Sequence, residues 1–168
     1  MAKRWSPNVL TATRLVLGVA SISATVNSYW LVAAGFVFLA ALYDNWANRL
    51  ARRLNTTAEF ARDIDMLSDL LVFGLAPATL YFFAQFSENG LTGYLLALLY
   101  PAACAFRLAR YTVAGTKVYY PSDPLPVAGP ALSGLALVGS MLPTTVHVMI
   151  IILASVLVIA NIRVPRLW

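Results

Sequence analysis

"LVAAGFVFLAALYDNWANRLARR", residues 31–53, is the stretch on which the fold turns. Residues 31–41 are apolar and uncharged. Asp44, Asn45, Asn48, Arg49, Arg52 and Arg53 then follow, and no glycine or proline after position 35 interrupts the run. One helix that begins in hydrocarbon and ends among charges is the simplest reading. A helix satisfies its own backbone polar groups where no water can reach them. Its charged end then marks the level at which the membrane stops.

The whole chain carries the same signal. Its 168 residues are 60% hydrophobic and 11% charged, with a mean hydropathy of +0.74, whereas soluble domains are about 25% charged. The expected fold class is all-α integral membrane, a six-transmembrane-helix bundle in a single domain over residues 1–168. The one cysteine, Cys104, permits no internal disulfide. The net charge is +5, and the bases flank oily segments. That distribution points to an anionic lipid surface and not to nucleic acid.

Six apolar spans are expected at 9–26, 30–49, 64–86, 91–111, 127–142 and 145–162. A crossing helix needs ~20 residues. The fifth is short and rich in glycine and proline. Charge tests the count. Alternate loops hold Lys3 and Arg4; Arg49, Arg52, Arg53 and Arg62; Arg107, Arg110 and Lys117; and Arg163 and Arg166. Arg14 lies one to two turns inside the first span from the same side. The opposite loops hold no base at all, so positive residues set that side as cytoplasmic, with both termini inside. "MAKRW" resembles the basic start of a signal peptide, but the parity of the pattern needs the first span.

Six of the seven acids also lie on the cytoplasmic side: Asp44, Glu59, Asp63, Asp65, Asp69 and Asp123. On a helix, Asn48, Ala51 and Arg52 share a face with Asp44, and Asp65 and Asp69 form an i, i+4 pair. The three aspartates are therefore expected to converge where two helices meet. A carboxylate within a span costs ~2.5–3.5 kcal/mol, and such residues mark function by default. Three together need a cation between them. Arg52 is one candidate, and a hard divalent ion, which favours oxygen ligands, is the other. The bland alternative has Asp65 capping a helix N-terminus and the arginines reaching lipid phosphates.

"DNWANRLARRLNTTAEFARDIDMLSD", residues 44–69, resembles the signature of the CDP-alcohol phosphatidyltransferases, D-x-x-D-G-x-x-A-R, eight residues, G-x-x-x-D-x-x-x-D. Asp44, Ala51, Arg52, Asp65 and Asp69 match it without a gap. Ala47, Asn48 and Ala61 stand where the family has Asp, Gly and Gly. "PNVLTATR", "LLVFGLAPATLY" and "AFRLARYTV" are similar to the phosphatidylserine synthase branch, and the likeness covers about residues 7–127. The resemblance implies a phosphatidyl transfer from CDP-diacylglycerol to a small polar acceptor, serine first among them, with release of CMP. It implies Mg2+ or Mn2+ held by Asp44, Asp65 and Asp69, with Asp69 as general base. It places the nucleotide or substrate near Asn48, Ala51, Arg52, Ala61 and Arg110. The missing carboxylate at 47 weakens ion binding, and Asn48 is either a compensating oxygen ligand or an obstruction to the nucleotide.

Several features have two readings each. Arg107, Arg110 and Lys117 are either ligands for an acceptor or lipid phosphate, or positive-inside anchors. "YYPSDPLPVAG", residues 119–129, is a cap over the site or a plain proline-rich loop. Gly129/Ser133 and Ala136/Ser140 pack within the bundle or across a homodimer. His147 is expected at the outer interface. At the level of function, the rivals to an enzyme are a degenerate lipid- or nucleotide-binding scaffold and a small transporter. The spans hold no further ionisable group at mid-depth to continue a proton path.

Overall fold

The computed structural model describes residues 6–54, 59–114, 125–139 and 142–160. Helix α1 is Ser6–Val26, α2 is Trp30–Leu54, α3 is Glu59–Asp69, α4 is Ala76–Tyr81, α5 is Gly90–Ala114, α6 is Leu125–Val138 and α7 is Thr144–Ile159. Two wider π-helical stretches, Leu70–Leu75 and Phe82–Phe86, and a 3-10 turn, Ser87–Asn89, join α3 to α5. No strand occurs among the described residues. The all-α expectation holds.

The run 59–86 is the central rod of the bundle. Val72, Phe73, Ala76, Leu80 and Tyr81 along it are 0% exposed, because α1, α2, α5 and α6 surround it. Its first π stretch has a local cause. Pro77 has no N–H to offer the carbonyl four residues back, and its ring crowds that carbonyl. The helix widens just before it, and the Ala76 N–H donates to the Leu71 carbonyl five residues away.

Close packing on this rod depends on two glycines. A Cβ at Gly18 of α1 would meet the Leu71 and Val72 side chains at 2.1 and 2.9 Å. A Cβ at Gly129 of α6 would meet the Phe73 Cα at 3.0 Å. Gly129, Ser133 and Ala136 are all buried, so these small residues serve packing inside the bundle.

Tight turns set the order of the helices. The α1–α2 turn is closed by bonds from the Ser28 and Tyr29 amides to the Thr25 and Ala24 carbonyls, both 2.9 Å. The Ser21 hydroxyl then donates to the Ala33 carbonyl at 2.9 Å, tying the two helices together. After the 3-10 turn, Gly90 takes φ +54, which a glycine adopts without steric cost. Helix α5 then runs back along the rod. "PLPVAG" is not all loop: from Leu125 onward it is the start of α6, and residues 119–124 lie outside the described residues.

His147 corrects an expectation. It is 2% exposed, not interfacial. Its Nε2–H donates to the Gly139 carbonyl at 3.0 Å, which leaves Nδ1 to accept from the Tyr81 hydroxyl at 2.7 Å. Gln85 Nε2 donates to the Ala136 carbonyl at 2.8 Å. This polar knot ties α4, α6 and α7 together, about 18 Å along the rod from Asp69 at 1.5 Å per residue.

The outward surface is apolar where a soluble bundle would be charged. Leu31, Val138 and Leu91 are 77%, 77% and 74% exposed, with Val16, Leu95, Met149 and Leu153 beside them in the same class. One helical run, Ile64–Arg110, is long and apolar enough to cross a membrane by length and composition. Four shorter apolar stretches accompany it: Ala12–Val26, Trp30–Asp44, Leu125–Val138 and Thr144–Ile159.

Candidate active site

Asp44 sits on α2, and Asp65 and Asp69 sit four residues apart on α3, facing one way. Between them lies a side chain that the sequence reading did not pair with them, Arg14 of α1. Its Nη1 is 3.1 Å from Asp44 Oδ1. The same nitrogen pairs with Asp65 Oδ1, and Nη2 pairs with Asp69 Oδ1. Among the described residues the cation between the carboxylates is Arg14; the side chain of Arg52, one of the two cations expected there, lies outside them. The signal for Arg14 was present: an arginine buried one to two turns inside an apolar span needs a partner.

Helix geometry explains why Arg14 arrives there. Gly18 is one turn further along α1 on the same face, and its missing side chain lets α1 settle against Leu71 and Val72. The guanidinium is thereby drawn in beside α3. It lies 6.0 Å from the centre of the Phe73 ring, itself 0% exposed. Arg14 is 2% exposed, and its Nε has no hydrogen-bond partner among the described residues.

Exposure is graded across the cluster. The Asp44 side chain is 9% exposed, Asp69 15% and Asp65 43%. The site thus opens past Asp65 and closes behind Asp44. Three carboxylates around one guanidinium leave a formal surplus of two negative charges. Surplus negative charge in a half-dry pocket attracts a cation of higher charge than one guanidinium carries. Among the described residues no three acidic, histidine or cysteine groups form a ready metal cage. The donor chemistry, all carboxylate oxygen, fits a hard divalent ion such as Mg2+ or Mn2+. The spacing is that of a guanidinium.

The remaining expected residues divide. The side chains of Asn48, Ala51, Arg52 and Ala61 lie outside the described residues, as do Ala47 and Lys117. Arg110 is exposed near the end of α5. Arg107 has a structural role beyond the two expected of it. It is buried, and its Nη1 donates to the Val158 carbonyl at 2.7 Å and more weakly to the Ala160 carbonyl at 3.5 Å. It caps the end of α7, where a cation also opposes the helix dipole. Asp65 caps no N-terminus, because α3 begins six residues earlier at Glu59.

The sequence profile of the CDP-alcohol phosphatidyltransferase family matches residues 4–164. The chain is 30% identical over 173 residues to the CDP-diacylglycerol--serine O-phosphatidyltransferase of Helicobacter pylori, covering 95% of this chain and 71% of that one. The enzymes of the same name from Bacillus subtilis and Methanocaldococcus jannaschii are each 27% identical. The first alignment covers 75% of this chain and 72% of the relative, and the second 94% and 72%. The chain belongs to the CDP-alcohol phosphatidyltransferase family. It is a phosphatidyltransferase of phospholipid biosynthesis.

Proposed function

We propose that the chain transfers the phosphatidyl group of CDP-diacylglycerol to serine and releases CMP, at the Asp44–Asp65–Asp69 cluster on the cytoplasmic side of the membrane. The observation that carries this reading is the meeting of the three aspartates around one buried cation. The serine acceptor follows from the names of the relatives.

The chemistry requires few parts. The serine hydroxyl oxygen attacks the lipid-side phosphorus, the bond from that phosphorus to the CMP oxygen breaks, and CMP leaves. A serine hydroxyl is a poor nucleophile until a positioned base takes its proton. Asp69, less exposed than Asp65 and deeper in the site, accepts that proton on its carboxylate. Mg2+ or Mn2+ bound by Asp44, Asp65 and Asp69 would neutralise the diphosphate. Asn48, Ala51, Arg52 and Ala61 are the proposed nucleotide-facing positions. Arg110, exposed near the end of α5, is a proposed contact for acceptor or lipid phosphate.

The membrane placement is part of the same proposal. Apolar side chains on the outside of α1, α2, α5, α6 and α7 suit lipid tails. Six crossings with both termini inside keep all twelve bases on, or within two turns of, one face.

The test is CMP release by the purified full chain in detergent with Mn2+, CDP-diacylglycerol and serine. CMP formation that depends on serine is expected. No CMP with serine, glycerol 3-phosphate or inositol overturns the reading. It would favour a scaffold, in which Arg14 holds the three carboxylates permanently.

A further inference from the structure

We propose that Arg14 is the resident counter-ion of the acidic site and competes directly with a divalent cation for Asp44, Asp65 and Asp69. Ion binding and release of the guanidinium are then one exchange. The inference rests on the proposed catalytic role of the cluster only for its purpose, not for its test.

The geometry leaves little room for both cations at the same oxygens. One guanidinium nitrogen already serves Asp44 and Asp65, and the other serves Asp69. All three carboxylates therefore present an oxygen to Arg14. A hard ion needs those oxygens at about 2.0–2.6 Å from its own centre. It cannot assemble them while a planar group of three nitrogens lies among them. Arg14 must turn aside, and it has the means. Its Nε has no hydrogen-bond partner among the described residues, so displacement breaks no further bond to them on that atom, and the partly exposed Asp65 marks the open side.

The exchange gives Arg14 two duties. Without an ion it offsets part of the repulsion among the three carboxylates inside the bundle. With an ion bound, the freed guanidinium retains five N–H donors, suited to a phosphate or carboxylate oxyanion nearby. It acts as a positioning residue that sets when the aspartates are available.

The test compares Mn2+ affinity, by electron paramagnetic resonance of free Mn2+, in the full-length protein, Arg14→Gln and Arg14→Lys. Thermal unfolding is measured with EDTA and with Mn2+. Arg14→Gln should bind Mn2+ at least tenfold more tightly than the unsubstituted protein, with Arg14→Lys between them. The gain should vanish in Arg14→Gln/Asp69→Asn, which locates it at this cluster. In EDTA the Arg14→Gln protein should melt several degrees lower, and Mn2+ should restore it. Affinity in Arg14→Gln equal to or weaker than that of the unsubstituted protein overturns the exchange. If Arg14→Gln does not fold even with Mn2+, Arg14→Lys decides: affinity at or below that of the unsubstituted protein overturns the proposal, and tighter binding supports it. Absence of CMP formation would remove the proposed function and leave this result standing.

Discussion

Asp69 is the residue on which turnover depends most directly, because it is close to the buried cation and still reachable from the open side of the cluster. Asp69→Asn retains the shape and loses the base. CMP release should fall by about 10²–10⁴-fold, the usual worth of a general base, while the helical circular dichroism signal stays unchanged. Activity within a few-fold of the unsubstituted protein would move the base elsewhere. That Asp65 and Asp69 share one helix face was legible from spacing alone, since i, i+4 arithmetic needs only the chain itself. Arg14 was not paired with them, because its partner Asp65 lies 51 residues away and the contact exists only once α1 has docked. His147 misled for the same reason. A lone histidine near a loop looks interfacial until Tyr81, 66 residues distant, supplies its hydrogen bond.

At the scale of elements, the site depends on how closely α1 approaches the first π stretch. Gly18→Val would place a branched side chain where even a Cβ meets Leu71 at 2.1 Å. Overpacking of this kind costs about 1–3 kcal/mol, and here it also swings Arg14 away from α3. The expected outcome is a lower melting temperature together with at least a tenfold loss of CMP release. Retained activity at a lowered melting temperature would show that α1 serves stability alone. Helix positions were legible because apolar runs of the right length separate at charged or turn-rich segments, such as 87–90. The π stretches were not: the first forms just before Pro77, and neither leaves a periodicity of its own in the sequence.

For the molecule as a whole, the one-sided charge is the feature with the widest reach. With Cys104 replaced by alanine, a cysteine at Glu88 should react in intact cells with a thiol reagent that does not cross the membrane. A cysteine at Thr57 should react only after lysis. The reverse pattern would invert the orientation argued from the bases. Arg107 has a consequence for the order of assembly. At the end of α7 the Val158 and Ala160 carbonyls accept from a guanidinium carried by α5. Helix α7 is therefore provisional until it has met α5, which is made before it. Quality-control proteases that sample loose segments have an interval in which to act, and Arg107→Met should lengthen it. Pulse-chase decay of the newly made variant should be faster than that of the parent, and equal half-lives would make the clasp dispensable.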